Sequence, residues 1–177
     1  MELRTERLLL RPWRPDDDAD VDTAYDIYRR DEVARWLGAT PAPWPSREAT
    51  RERLARWAAI GERDPGYGMW AVVPDDVGVP VGTVLLVRLP DADGAMTDDV
   101  EVGWHFHPDH WGKGYATEAS QALIDHAFGT LGLHEVNAVA YAGNEPSFAV
   151  MRRLGLSPHG PTDRWYGVTL EWWSVSR

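Results

Sequence analysis

One stretch limits what this chain can become more than any other. Over residues 98–106 apolar and polar side chains alternate, with Val100, Val102, Trp104 and Phe106 on one side and Glu101, Gly103 and His105 on the other. That period of two predicts a strand. Pro108 ends it. After a polar turn, Trp111-Gly112-Lys113-Gly114-Tyr115-Ala116-Thr117 opens an amphipathic helix over 115–131, with Tyr115, Ala119, Ala122, Leu123 and Ala127 at helical spacing. A strand, two glycines and a helix start leave free backbone N–H groups at the rim of a sheet, with the positive end of the helix dipole behind them. The glycines let a ligand approach the backbone closely. Such a turn is a cradle for phosphate or pyrophosphate, although a structural left-handed turn would use the same glycines. It is neither the dinucleotide fingerprint, since Thr117 stands where a third Gly or Ala is required, nor a Walker loop.

The flanking sequence supplies the layers for that unit. Residues 8–12 read as a first strand stopped by proline, 18–30 as a helix opened by acids, and 46–62 as a second helix capped by Ser46. Strands are predicted over 69–73, 79–87 and 135–141, and an aromatic, β-branched hairpin over 165–175 turning at Gly167. Asn144 can cap a short helix that tolerates Pro146 in its first turn and carries Phe148, Met151 and Leu154 as an apolar stripe. The order β, α, α, β-β-β, α, β, α, β-β predicts a mixed α/β (α+β) sheet with helices on its faces, in a single domain over 1–177.

Composition narrows the chemistry. With no cysteine there is no disulfide framework, no thiolate zinc site and no cysteine nucleophile. No His-Glu-x-x-His pattern accompanies the six histidines, so no metal is expected. A net charge of -10 speaks against a nucleic-acid partner. No apolar run reaches a membrane span, and the charged start Met1-Glu2-Leu3-Arg4 lacks a leader's apolar core, so a cytoplasmic protein is expected. Six acids and one base occupy residues 71–100, either as solvated hairpin loops or as a field that attracts a cationic substrate. The sole lysine, Lys113, lies in the glycine turn. Trp36 and Trp44 flank a proline-rich connection that could wall a binding cleft.

The second chemical signal is Asn144-Glu145-Pro146-Ser147 ahead of Leu154-Gly155-Leu156. Asn144 and Ser147 are ordinary helix-start residues, or an amide hook and a hydroxyl donor for a ligand between two strands. The two signals together, in this order and about thirty residues apart, resemble the GNAT acyl-CoA-dependent N-acetyltransferases, and more narrowly their RimJ/RimL-like branch. Leu3 to Pro12 is similar to that branch's opening. Glu101-Val102-Gly103-Trp104 with Trp111 to Ala119 is similar to its motif A, with Trp111 where the family has Gln or Arg.

The resemblance implies a mostly antiparallel sheet of six to seven strands with one splayed parallel pair, residues 98–106 beside 135–141. Acetyl-CoA would lie in the gap. Its pantetheine would pair with the backbone of Trp104, His105 and Phe106, and its pyrophosphate would rest on Trp111, Gly112, Lys113, Gly114, Tyr115, Ala116 and Thr117, with Asn144 and Ser147 opposite. A backbone N–H near Phe106 could polarise the thioester carbonyl. The partner is a primary amine, which must lose a proton before it attacks. Glu101 is the expected base, directly or through water, with His105 and His107 as alternatives; Ser147 is the expected acid toward the departing thiolate. Trp36, Trp44 and His105 are expected on the acceptor side. The acceptor is a protein or peptide N-terminal amine or a small cationic amine. The alternative is a catalytically silent acyl-CoA-binding or regulatory module on the same fold. A homodimer is possible.

Overall fold

The structure, a computed structural model, describes residues 1–177. In chain order the elements are β1 (Leu3–Arg4), β2 (Leu8–Pro12), α1 (Asp18–Tyr28), α2 (Asp31–Ala34), α3 (Arg47–Arg63), β3 (Gly68–Pro74), β4 (Gly82–Pro90) and β5 (Met96–Phe106). A short 3-10 turn (Pro108–His110) leads to α4 (Tyr115–Gly129), β6 (Glu135–Ala140), α5 (Glu145–Arg153), β7 (Ser157–Thr162) and β8 (Leu170–Ser176). The eight strands form one sheet in the order β1-β2-β3-β4-β5-β6-β8-β7. Every neighbouring pair is antiparallel except β5–β6.

The alternation in β5 sorts its side chains onto two helical layers. Val100, Val102 and Phe106 enter the main core with Tyr115, Ala119 and Leu123 of α4. The other face of the sheet is covered by α1 and α3 through a smaller core that includes Trp13, Val21, Ile27, Tyr28 and Leu54. Glu101 and His105 therefore belong to the α1/α3 side. The predicted caps hold: Ser46 accepts from the Ala49 N–H at 3.2 Å, and Asn144 accepts from the Ser147 N–H at 3.3 Å.

The parallel pair is joined at one point only. Glu101 registers with Asn137. The Asn137 side-chain amide crosses to the Val100 carbonyl at 3.2 Å and accepts from the Trp172 indole at 2.8 Å, which pins the closed end. Beyond it the strands part, and the gap opens beside Trp104 to Phe106. Gly82 shapes that end, because a Cβ there would stand 2.4 Å from the Phe106 ring. Only glycine lets the Phe106 ring lie across β4.

Two expectations change. The strand expected over 79–87 starts at Gly82 and runs to Pro90, since it pairs with β5 through a turn at 91–95. The C-terminal hairpin is not folded at Gly167; its strands are β7 and β8, with 163–169 as the connection. β7 carries Pro158 and Pro161, which an edge strand tolerates because a missing N–H there costs no ladder bond. Trp165 is instead buried, with its indole N–H on Asp99 at 3.0 Å.

Candidate active site

Beside the end of β5, where Trp104 to Phe106 have parted from β6, lies a cavity of about 470 Å³. Its lining comes from four places: Trp104, His105 and Phe106 of β5; Trp111, Gly112 and Gly114 to Thr117 of the glycine turn and α4; Asn144, Ser147 and Arg153 around α5; and Glu32, Val33, Trp36 and Leu37 around α2.

The glycine turn is built as the spacing suggests. Gly112 and Gly114 have φ of 76° and 82°, in the left-handed region. Gly114 is the N-cap of α4 and provides no side-chain cap, and the first helical bond is Glu118 N–H to Gly114 O at 3.0 Å. The N–H groups of Tyr115, Ala116 and Thr117 thus have no partner within the helix, and these residues line the cavity. The turn is braced from outside. The Arg7 guanidinium bonds Glu118 of α4 at 2.7 Å and the Lys113 carbonyl at 3.3 Å, and Thr5 donates to Glu118 at 2.6 Å. Trp111, in the position that departs from the motif, donates its indole N–H to Phe106 O at 2.8 Å and leaves its ring about half exposed at the rim. Lys113 does not line the cavity. Its exposed ammonium lies 3.4 Å from Nδ1 of His110, which does line the cavity. Burial first, and then that cation, hold His110 below its ordinary pKa.

A pyrophosphate fits this cradle on its own chemistry. Three open N–H groups at a helix start and two left-handed glycines suit a dianion without a basic surface.

The remaining expected residues are divided. Trp36 lines the cavity. Trp44 does not: its ring stacks on Tyr28 at 4.1 Å and meets Trp57, so it belongs to the α1/α3 core. His107 is turned away, bonding Asp26 through Nε2 at 3.1 Å and accepting the Asp109 N–H at 3.2 Å. Ser147 lines the cavity, with Asn144 buried beneath it.

Glu101 is buried at the closed end of the gap and does not line the cavity. Trp104 is the first β5 residue to do so. Three residues at roughly 3.3 Å each put Glu101 about 10 Å further along the strand. Burial raises its pKa to about 7, and the Tyr166 hydroxyl, donating at 2.5 Å, works in the opposite direction. Burial first, and then the Glu101 charge, hold the Tyr166 phenol well above its usual value, so the proton of this pair stays on the phenol oxygen.

Tyr166 is the one non-glycine residue with positive φ, at 62°. Its loop is bolted down around it. Asp99 accepts from Arg164 and Trp165 at 3.0 Å each, and the Tyr166 N–H donates to Pro90 O at 3.3 Å. These contacts hold Tyr166 in a conformation uncommon for a side chain of its size.

Sequence reasoning missed Tyr166, Arg7, Glu32 and Arg153. The last had a signal: Pro146, Ala149, Val150 and Arg153 recur at i, i+3, i+4 and i+7, and all line the cavity.

A splayed parallel pair beside an uncapped, glycine-led helix start is an arrangement suited to a phosphate-bearing ligand laid across the sheet. The acetyltransferase (GNAT) domain model matches residues 7–157, and the chain belongs to the GNAT family. It is 27 % identical over 158 residues to the uncharacterised N-acetyltransferase YoaA of Bacillus subtilis, covering 89 % of this chain and 84 % of that one. A crystal structure of an acetyltransferase from Agrobacterium tumefaciens superposes with a TM-score of 0.78 at 26 % identity, over 100 % of this chain and 95 % of that one. The ribosomal L7/L12 α-N-protein acetyltransferase RimL, solved with coenzyme A, shares the fold with a TM-score of 0.77 at 17 % identity, over 99 % and 98 %. The protein is an acetyl-CoA-dependent N-acetyltransferase.

Proposed function

We propose that the acceptor is a primary amine that arrives as a cation from the α2 side, either the N-terminal amine of a protein or peptide or a small cationic amine. The observation that carries this is the lining of the cavity opposite the glycine turn. There Glu32 lines the cavity beside Trp36, whose ring carries the Arg35 guanidinium 4.9 Å above it, and the Glu32 carboxylate suits an ammonium group. The RimJ/RimL-like pattern of residues 3–12 supports the N-terminal amine. Acetyl-CoA supplies a thioester-activated acetyl group, and the residues named for it are those of the cradle, Asn144 and the β5 backbone.

In this reading Glu101 accepts the ammonium proton through water, since a carboxylate with a pKa of about 7 is half ionised at neutral pH and a good match for the task. Tyr166 keeps that carboxylate in one orientation. Backbone N–H groups of β5 stabilise the charge that develops on the acetyl oxygen. Ser147 donates a proton or a hydrogen bond to the sulfur that leaves. No side-chain nucleophile is needed, which suits a chain without cysteine.

The test is release of free thiol from acetyl-CoA against a panel of N-terminal peptides, polyamines, amino acids and aminoglycosides. Turnover with at least one class is expected. Binding of acetyl-CoA with no turnover on any amine would favour the silent module instead.

A further inference from the structure

We infer that His105 carries its proton on Nε2 and donates it to an oxygen of the acceptor, so that favoured acceptors have a carbonyl beside the reacting amine, as an N-terminal residue does. The inference rests on the acceptor reading above and narrows it.

It follows from counting protons along a buried chain of four side chains. Trp13 donates its indole N–H to Thr83 Oγ1 at 3.1 Å. An indole can only donate. Thr83 is wholly buried, and its hydroxyl has just one other partner, the Tyr28 hydroxyl at 2.6 Å. The Thr83 proton must therefore point at Tyr28, because the opposite arrangement would strand a buried hydroxyl proton without an acceptor. Tyr28 is wholly buried too. Having received from Thr83, it donates its own proton to its remaining partner, His105 Nδ1, at 3.2 Å. A lone pair on Nδ1 places the proton of a neutral imidazole on Nε2.

The imidazole is neutral because burial pulls its pKa down to about 4. Nε2 has no partner in the protein. The side-chain atoms that are both buried and unpartnered are Arg53 Nη1 and Ser120 Oγ, so Nε2 is open to the cavity that His105 lines. An N–H donor there excludes His105 as the base that takes the ammonium proton. What it can recognise is an acceptor oxygen, and the carbonyl next to an α-amine is the oxygen nearest the reacting nitrogen. The short strand separation fixes the geometry: His105 stands directly across from Thr83 in the β4–β5 register.

Two measurements test this on the full-length protein. Two-bond nitrogen–proton correlation of histidine labelled with nitrogen-15 reads the tautomer, with His105→Gln used to assign the signal. An Nε2–H pattern is expected at neutral pH; an Nδ1–H pattern overturns the inference whatever the enzyme's activity. The second is kcat/KM for alaninamide against isopropylamine, which lacks the carbonyl. The preference for alaninamide should fall about five- to tenfold in His105→Ala, the worth of one hydrogen bond. His105→Gln, which can still donate, should restore most of it, and KM for acetyl-CoA should not move. Equal use of both amines by the wild type overturns the inference. No turnover on either amine defeats the acceptor reading and the contact with it, while the tautomer is still read independently.

Discussion

Replacing Tyr166 with Phe removes one oxygen and leaves the ring and its left-handed backbone in place. What is lost is the donor that holds the Glu101 carboxylate at 2.5 Å. A hydrogen bond to a charged group contributes about 1.5–3 kcal/mol, and about 1.4 kcal/mol corresponds to a tenfold change in ionisation. The bond favours the ionised form, so its loss adds to the effect of burial and pushes Glu101 above about 7. The acidic limb of the pH–rate profile should then rise from about 7 to roughly 8–9. At pH 7 the ionised share falls from about half to between about a tenth and a hundredth, a rate loss of roughly five- to fiftyfold that nearly disappears by pH 9. The assay is kcat/KM from thiol release with one amine, expressed as the ratio of variant to wild type at each pH, so that titration of the amine itself cancels. A constant ratio from pH 6 to 9 would refute the claim that Tyr166 acts through the ionisation of Glu101, and would reduce the pair to a structural contact.

Glu101→Gln should make stability less dependent on pH. The folded state holds the Glu101 proton up to about 7 against 4.5 when free, so this group's contribution is fully present below about 4.5 and is lost as pH rises to about 7. The difference is about 3 kcal/mol, and thermal melts of variant and wild type should separate by roughly 5–10 °C in favour of Gln at pH 8 and converge at pH 4; a gap independent of pH contradicts this. Ser147→Ala should lower kcat by about a hundredfold with KM for acetyl-CoA nearly unchanged, and full turnover removes Ser147 as the acid. Gly114→Ala forces a Cβ into a φ of 82° and within 3.4 Å of the Arg7 guanidinium. It should cost about 1–2 kcal/mol of stability and raise the acetyl-CoA Kd severalfold by calorimetry; an unchanged Kd would mean that the cradle geometry does not hold the pyrophosphate.

What could be read from the sequence was local. The strand, the glycine turn and α4 form one continuous run, and the caps of α3 and α5 involve partners three residues apart. Alternation in β5 was enough to place Glu101 and His105 on one face. The misreadings came where distant contacts decide. Trp36 and Trp44 lie in similar surroundings in the chain, yet stacking on Tyr28 draws only Trp44 into the core. β7 was missed because its prolines and glycine suggest a loop, and only the free edge of the sheet permits them. Tyr166 pairs with Glu101 across 65 residues and Arg7 with Glu118 across 111, separations at which no spacing pattern survives. The acidic excess is compatible with an anionic cofactor because the start of α4 offers backbone N–H groups that need no basic surface around them.

The cradle at the start of α4 is where acetyl-CoA should be held. Calorimetric titration of acetyl-CoA into the wild-type protein and into a Gly112→Val, Gly114→Val double variant tests it most directly, with a thermal melt to confirm that the variant is folded. The prediction is saturable binding of one acetyl-CoA per chain to the wild type and none to the folded variant. No heat from the wild type at high micromolar cofactor, or undiminished binding by the variant, would contradict it.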